Sequence, residues 1–335
     1  MQDSVSDTFK DKLILVTGGT GSFGQKFTEI ALKKLQPKAV RIYSRNELKQ
    51  VEMERKLSPD EWTRARFFIG DVRDSRRLYR AMEGVDIVIH AAALKHVPVC
   101  EYNPLEAVDT NINGARNVID AALDTGVDKV LALSTDKAVQ PVNLYGATKL
   151  VAEKLFVQAN AYAGQKKTRF ACVRYGNVMG SSGSIVPLFL KQKESGEVTI
   201  TDERMTRFWI TLEQGVDFVM NSIHRMKGGE IFVPKIPSTK VTDLADVIAP
   251  GARRKIIGIR PGEKIHETLL TADEARHAKE FPDHFIIEPE HRFWKSDNHN
   301  EGKKLTGDFS YSSDNNPVRL NNEQIASMLK AQGFL

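Results

Sequence analysis

Tyr145 and Lys149 stand four residues apart in Tyr145-Gly146-Ala147-Thr148-Lys149, so a helix would set them one turn apart on one face. An ammonium in that place favours the phenolate, and a tyrosine of depressed pKa takes a proton from a hydroxyl. Just upstream, Leu133-Ser134-Thr135-Asp136-Lys137 adds a hydroxyl, an acid and an amine. That is more chemistry than oxidation of an alcohol needs. A protonated carboxyl group donates to a leaving group, and a neutral amine accepts a proton. The bland alternatives are a helix tyrosine at a core edge beside a solvated lysine, and a structural Asp136–Lys137 ion pair at a strand end.

The elements that must position these groups are legible around them. Leu13-Ile14-Leu15-Val16 reads as a buried parallel strand, Gln25 to Leu35 as a helix, and Thr17-Gly18-Gly19-Thr20-Gly21-Ser22-Phe23-Gly24 as the turn between. Gly18, Gly21 and Gly24 allow a tight turn, close approach of backbone to a pyrophosphate, and close helix–strand packing, so Gly18 and Thr20 to Gly24 are expected to bind a dinucleotide. A second strand, Ala39 to Tyr43, ends where an acid would bond the ribose of NAD; the chain has Ser44, Arg45 and Lys49 there instead. A hydroxyl and two cations suit a 2′-phosphate, which predicts NADP. Further strands are expected at Arg66 to Val72, Val85 to His90, Val130 to Leu133 and Arg169 to Arg174. Asp71 and Val72 would then meet the adenine, and Ala91, Ala92 and Ala93 would line the cofactor path, with Tyr145 and Lys149 at its far end. The class is α/β: a Rossmann-type doubly wound parallel sheet with a smaller C-terminal α/β substrate lobe.

The chain has 335 residues, a net charge of +5 and two cysteines. That length allows a cofactor domain over residues 1–174 and a substrate lobe over 175–335, with the chain free to cross between them. Cations are interspersed with acids and no aromatic-rich basic block occurs, so an anionic nucleotide accounts for the charge and no nucleic acid is expected as partner. Cys100 and Cys172 have no paired spacing or histidine company, which predicts no disulfide, no metal site and a reducing cytoplasm. No apolar run approaches a membrane span. Beyond the sixth strand, Tyr175 to Ser184 is a polar loop before an apolar helix near Ile185. Arg204 to Trp209 and Arg260 to Glu267 are rich in groups that grip phosphate, with Arg207 and Arg260 expected on a diphosphate.

The Gly-x-x-Gly-x-x-Gly turn together with Tyr-x-x-x-Lys resembles the short-chain dehydrogenase/reductases. Ala91 to Pro98, Ser134 to Lys149, Arg174 to Gly180, Met205 to Trp209 and Arg260 to Glu267 narrow the resemblance to the extended, nucleotide-sugar-modifying branch, and within it to the inverting UDP-N-acetylglucosamine 4,6-dehydratases. The resemblance implies NADP held through the cycle, UDP-N-acetylglucosamine as substrate with Lys95, Asn177, Arg207, Arg260 and Glu263 binding it, a cytoplasmic homo-oligomer (dimer or hexamer), and the first step of pseudaminic acid synthesis. Thr135, Asp136, Lys137, Tyr145 and Lys149 become the catalytic set. Retaining relatives carry Thr-Asp-Glu where this chain has Thr135-Asp136-Lys137, so a carboxylate base has become an amine. In the implied cycle Tyr145 takes the 4-hydroxyl proton, Lys137 takes the carbon 5 proton, and a protonated Asp136 releases the 6-hydroxyl as water. Lys137 must then be neutral, its pKa depressed by burial or by nearby cations, Lys149 included. A UDP-hexose 4-epimerase, a retaining dehydratase and a non-catalytic NADP-sensing regulator remain alternatives.

Overall fold

Short apolar runs rich in Val, Ile and Leu make strands, and the amphipathic stretches between them make helices that cover both faces. A computed structural model describes residues 4–180, 185–291, 293–294 and 299–335. Six runs pair in parallel: β1 (Leu13–Thr17), β2 (Ala39–Ser44), β3 (Ala65–Ile69), β4 (Ile87–His90), β5 (Lys129–Leu133) and β6 (Arg169–Val173). Their spatial order is β3-β2-β1-β4-β5-β6. The order reverses at β1 and β4, and the crevice outside the carboxyl ends of such neighbours is where an open α/β sheet takes its ligand. Thr17, the last residue of β1, lies level with Tyr43 of β2 and His90 of β4, so the turns that follow start at one edge.

The sheet does not stop at β6. Ile231–Pro234 adds a strand parallel to β6, and His284–Ile287, Ala278–Glu280 and Lys303–Lys304 follow antiparallel, making ten strands. Leu212–Arg225 packs Val216, Val219 and Ile223 into the same core as Ile14, Val88 and Phe170. Residues after 174 therefore supply both cores. The second one gathers Val186, Phe189, Ile200, Trp209, Leu244 and Leu329. The strand Thr206–Ile210 runs between the two: Phe208 and Ile210 face the first core and Trp209 the second, the period-two alternation of a strand buried on both sides.

Leu144–Tyr162 forms because Asn143 caps it, its side chain accepting from the Gly146 N–H, and because Tyr145, Lys149, Ala152, Phe156 and Asn160 fall on one buried face. It ends at Ala163 and Gly164, the latter in the left-handed region. Phe156 and Phe170 are fully buried, each worth about 1.5–3 kcal/mol of transfer free energy. The expected helix from Gln25 starts earlier, at Ser22, and widens into a π turn over Ala31–Leu35. Among the described residues no helix is long and apolar enough to cross a membrane.

Candidate active site

The glycine turn is built by contact rather than by flexibility alone. Gly18 has φ +66° and lies under the chain after β4, where an added Cβ would come 2.9 Å from the Ala92 nitrogen. A Cβ on Gly24 would lie 2.5 Å from the Gly19 Cα, so helix and turn touch. Gly21 N-caps Ser22–Ile30 without any side-chain cap, which leaves first-turn N–H groups for a ligand. Phe23 stacks on Phe27 with ring centroids 6.1 Å apart, anchoring the helix start, and Thr20 is buried, its carbonyl accepting from Gln25. This cradle fits a dinucleotide pyrophosphate.

At the end of β2, Arg45 is exposed and its Nη1 lies 3.6 Å from Asp71 Oδ2. Arg73, which the sequence did not single out, grips the same carboxylate at 2.8 Å. Burial would raise Asp71, but the bonds from Arg73 and the charge of Arg45 prevail and hold it below its ordinary value. Ser44 is buried, its hydroxyl accepting from Gln50. Lys49 is exposed in the first turn of Glu47–Glu54. Val72 is buried against the backbone of Gly114, and Ala91, Ala92 and Ala93 are half-buried beyond β4.

The chemistry-bearing residues converge at the end of β5. Thr135 caps a short 3-10 turn, Asp136–Ala138, and its hydroxyl donates to Asp136 Oδ1 at 2.8 Å. Lys137 Nζ donates to the same oxygen at 3.0 Å and reaches Asn177 Oδ1 at 3.5 Å. The other Asp136 oxygen is buried without a partner among the described residues. Gly146 lets the helix lie directly on the Lys137 carbonyl, with no room for a Cβ. Tyr145 is thereby brought to Thr135 and Lys137. Burial pushes its phenol up to about 12, against the pull of Lys137 and a hydrogen bond with Thr135.

Two features differ from expectation. Burial alone would lower Lys137, but Asp136 and Glu267, whose carboxylates lie 3.0 and 3.5 Å away, outweigh it and hold the amine above its ordinary value. The amine thus rests as an ammonium, because Asp136 beside it is joined by a second acid on the loop that closes over it. The cation that pulls most on Tyr145 is Lys137, while Lys149 is buried, lowered by that burial, and donates to the Leu133 carbonyl at 2.6 Å.

Of the expected substrate residues, Lys95 is exposed, and partial burial of its ammonium with the nearby Lys137 lowers it. Asn177 touches Lys137. Arg207 turns inward, donating to the carbonyls of Thr206, Ile265 and Lys264 at 2.7–3.0 Å, so its fork is filled by protein and not offered to a diphosphate. Arg260 stays exposed, 3.9 Å from Glu263. Lys264 and Glu267 join the cluster unforeseen; their only signal was the charge density of Arg260 to Glu267. Within the expected polar loop, Ser181, Ser182, Gly183 and Ser184 lie outside the described residues. Among those residues no group of three or more His, Cys, Asp or Glu is placed to hold a metal.

Residues 14–289 match the family described as polysaccharide biosynthesis protein. The chain is 53% identical to a Campylobacter jejuni subsp. jejuni serotype O:2 protein named UDP-N-acetylglucosamine 4,6-dehydratase (inverting), over 97% of this chain and 100% of that one. It is 40% identical to a Rickettsia akari UDP-glucose 4-epimerase over 98% of each. Among solved structures, Pen from Bacillus thuringiensis matches with a TM-score of 0.89 at 40% identity, covering 98% of this chain and 99% of that one. A Streptomyces venezuelae dTDP-glucose 4,6-dehydratase, DesIV, solved with NAD and TYD, matches with a TM-score of 0.66 at 22% identity over 76% and 86%, a likeness of fold.

Proposed function

The chain belongs to the polysaccharide biosynthesis protein family, with the fold of the extended short-chain dehydrogenase/reductases, and from that premise we propose that it is a UDP-N-acetylglucosamine 4,6-dehydratase inverting carbon 5. The observation that carries the reading is the Asp136–Lys137 pair, 3.0 Å apart beside Thr135 and Tyr145. An ion pair of this kind holds one proton between two groups. When that proton passes from the Lys137 ammonium to the Asp136 carboxylate, the amine becomes neutral and the acid protonated, the two forms an elimination needs. Displacing water from the site favours that neutral pair over the ionic one.

Tyr145 takes the proton of the sugar's 4-hydroxyl. Lys137 then removes the proton made acidic at carbon 5, and Asp136 gives its own to the 6-hydroxyl, which leaves as water. Protonation of carbon 5 on the opposite face sets the inverted configuration of the 4-keto product. A bound nicotinamide supplies the oxidation at carbon 4 and the matching reduction at carbon 6, with no net consumption. Gly18, Thr20, Gly21, Ser22, Phe23 and Gly24 would hold its pyrophosphate, Asp71, Val72 and the Ala91 to Ala93 run its adenosine side, and Tyr145 and Lys149 its far end. The cofactor is NADP in this reading, supported by Ser44, Arg45 and Lys49. Arg45→Ala should narrow the preference over NAD by about 1.5–3 kcal/mol in calorimetry, and equal wild-type affinities for the two would sink the choice. A cytoplasmic homo-oligomer, dimer or hexamer, and a place at the head of pseudaminic acid synthesis belong to the same reading and rest on resemblance.

The epimerase alternative draws on the Rickettsia relative, but returning hydrogen to carbon 4 has no use for an acid and an amine. Incubation with UDP-N-acetylglucosamine in heavy water separates the two. Loss of water, with deuterium at an inverted carbon 5 in the proton spectrum, is expected; an unchanged mass apart from exchange, with epimerised carbon 4, would overturn the dehydratase.

A further inference from the structure

Glu267 closes the Arg260 to Glu267 segment and has no role of its own legible in the sequence. Its side chain is buried, 4% exposed, with Oε1 3.5 Å from Lys137 Nζ and 3.9 Å from Arg207 Nε. Oε2 is buried and has no hydrogen-bond partner among the described residues. A buried carboxylate with an unused oxygen is costly unless a charge beside it compensates. The backbone fixes it there: the Glu267 N–H donates to Ser313 Oγ at 3.0 Å, the Ser313 N–H returns a bond to the Glu267 carbonyl at 2.8 Å, and Arg207 clamps the carbonyls of Lys264 and Ile265. The fold holds a second acid against the amine.

We propose that Glu267 is a positioning residue for the dehydration proposed above, aiming the Lys137 amine and, with Asp136, keeping it charged until substrate displaces water. The groups that face this amine are Asp136 on its own turn, Tyr145 on the helix packed against it, Lys95 after β4, Arg207 on the Thr206–Ile210 strand, and Lys264 and Glu267 on the closing segment. Three cations and a phenol besides Lys137 face two carboxylates, so each carboxylate weighs heavily on its charge. Asp136 sits on the same turn as Lys137 and moves with it. Glu267 comes from another element and sets where the ammonium points.

The test compares wild type, Glu267→Gln and Glu267→Asp by acetylation with acetic anhydride at about pH 9, where only a free amine reacts. Labelling of Lys137 is read by mass spectrometry against exposed Lys154. Removing the carboxylate lowers the proton affinity of the ammonium, so Glu267→Gln should raise Lys137 labelling about tenfold, the change that one pH unit of proton affinity produces. Glu267→Asp, which withdraws the carboxylate by one methylene, should fall between. In turnover of UDP-N-acetylglucosamine, the limb that rises with pH should move to lower pH in Glu267→Gln, a shift that a purely structural role would not cause. Wild-type labelling in a Glu267→Gln protein that still binds NADP overturns the assignment. If Gln prevents folding, wild-type labelling in Glu267→Asp overturns it instead. A wild type that forms no dehydrated product sinks the functional reading alone, because the labelling needs no substrate.

Discussion

At the scale of single residues, Asp136 and Lys137 form an ion pair and, in the proposed dehydration, are its acid and base, and substitution separates the roles. Lys137→Ala should keep cofactor binding and oxidation at carbon 4 yet lose elimination by about two to four orders of magnitude, the usual worth of a general base. Reduced cofactor should then accumulate as NADPH absorbance. Tyr145→Phe should show none, since its phenol, pushed up to about 12 by burial and pulled back by Lys137 and Thr135, begins the sequence. A Lys137→Ala protein that releases inverted product at the wild-type rate would leave the amine no part in the reaction. Thr135, Asp136, Lys137, Tyr145 and Lys149 were legible in the chain because each pair is close in sequence and held by one turn or one helix. The charge of Lys137 was legible only in part, because it depends on Asp136 beside it and also on Glu267, far away along the chain.

At the scale of elements, the site is a strand end with a helix laid across it, and Gly146 sets how close they come. An added methyl would meet the Lys137 carbonyl, backbone that cannot yield by turning a side chain. Gly146→Ala should therefore destabilise by about 1–3 kcal/mol and slow turnover by parting Tyr145 from Thr135 and Lys137. Urea unfolding and product formation together check this; a variant with wild-type midpoint and rate would show that the contact relaxes at no cost. The strands that carry the site were readable as buried apolar runs, with ends displaced by a few residues: β3 stops at Ile69, before Asp71 and Val72, which lie in the turn beyond. Apolar content marks a strand's middle, whereas pairing with neighbours decides where it stops.

At the scale of the molecule, a buried guanidinium ties the helix that carries Tyr145 and Lys149 to the sheet and to the later chain. Arg174, just past β6, donates to both oxygens of Glu153 at 2.8 Å and to Glu274 at 2.8 and 3.0 Å, joining Leu144–Tyr162 to Ala272–Ala275. Glu153→Gln leaves that cation buried with one charged partner fewer and should cost on the order of 3 kcal/mol. An unchanged unfolding midpoint would mean that Glu274 alone satisfies it. The network crosses the division expected at residue 174, and so does the ten-stranded sheet.

What the amino-acid order determined by itself were the quantities with a short reach: the glycine spacing that makes the turn, the four-residue step that puts Tyr145 and Lys149 on one face, the apolar runs that become β1 to β6, and the change from acid to amine at Lys137. Packing decided the rest. Arg207 reads as a phosphate fork in the chain and becomes a clamp on three carbonyls in the fold, because buried carbonyls must be satisfied and it is the donor at hand. Lys149 reads as the partner of Tyr145 and is drawn to the Leu133 carbonyl beneath the helix. Lys137 reads as an amine to be stripped of its proton and rests as an ammonium, because Asp136 beside it at 3.0 Å is joined by Glu267, which tertiary contact brings within 3.5 Å. Charge state depends on every neighbour in space, and neighbours far apart in sequence meet only through the fold.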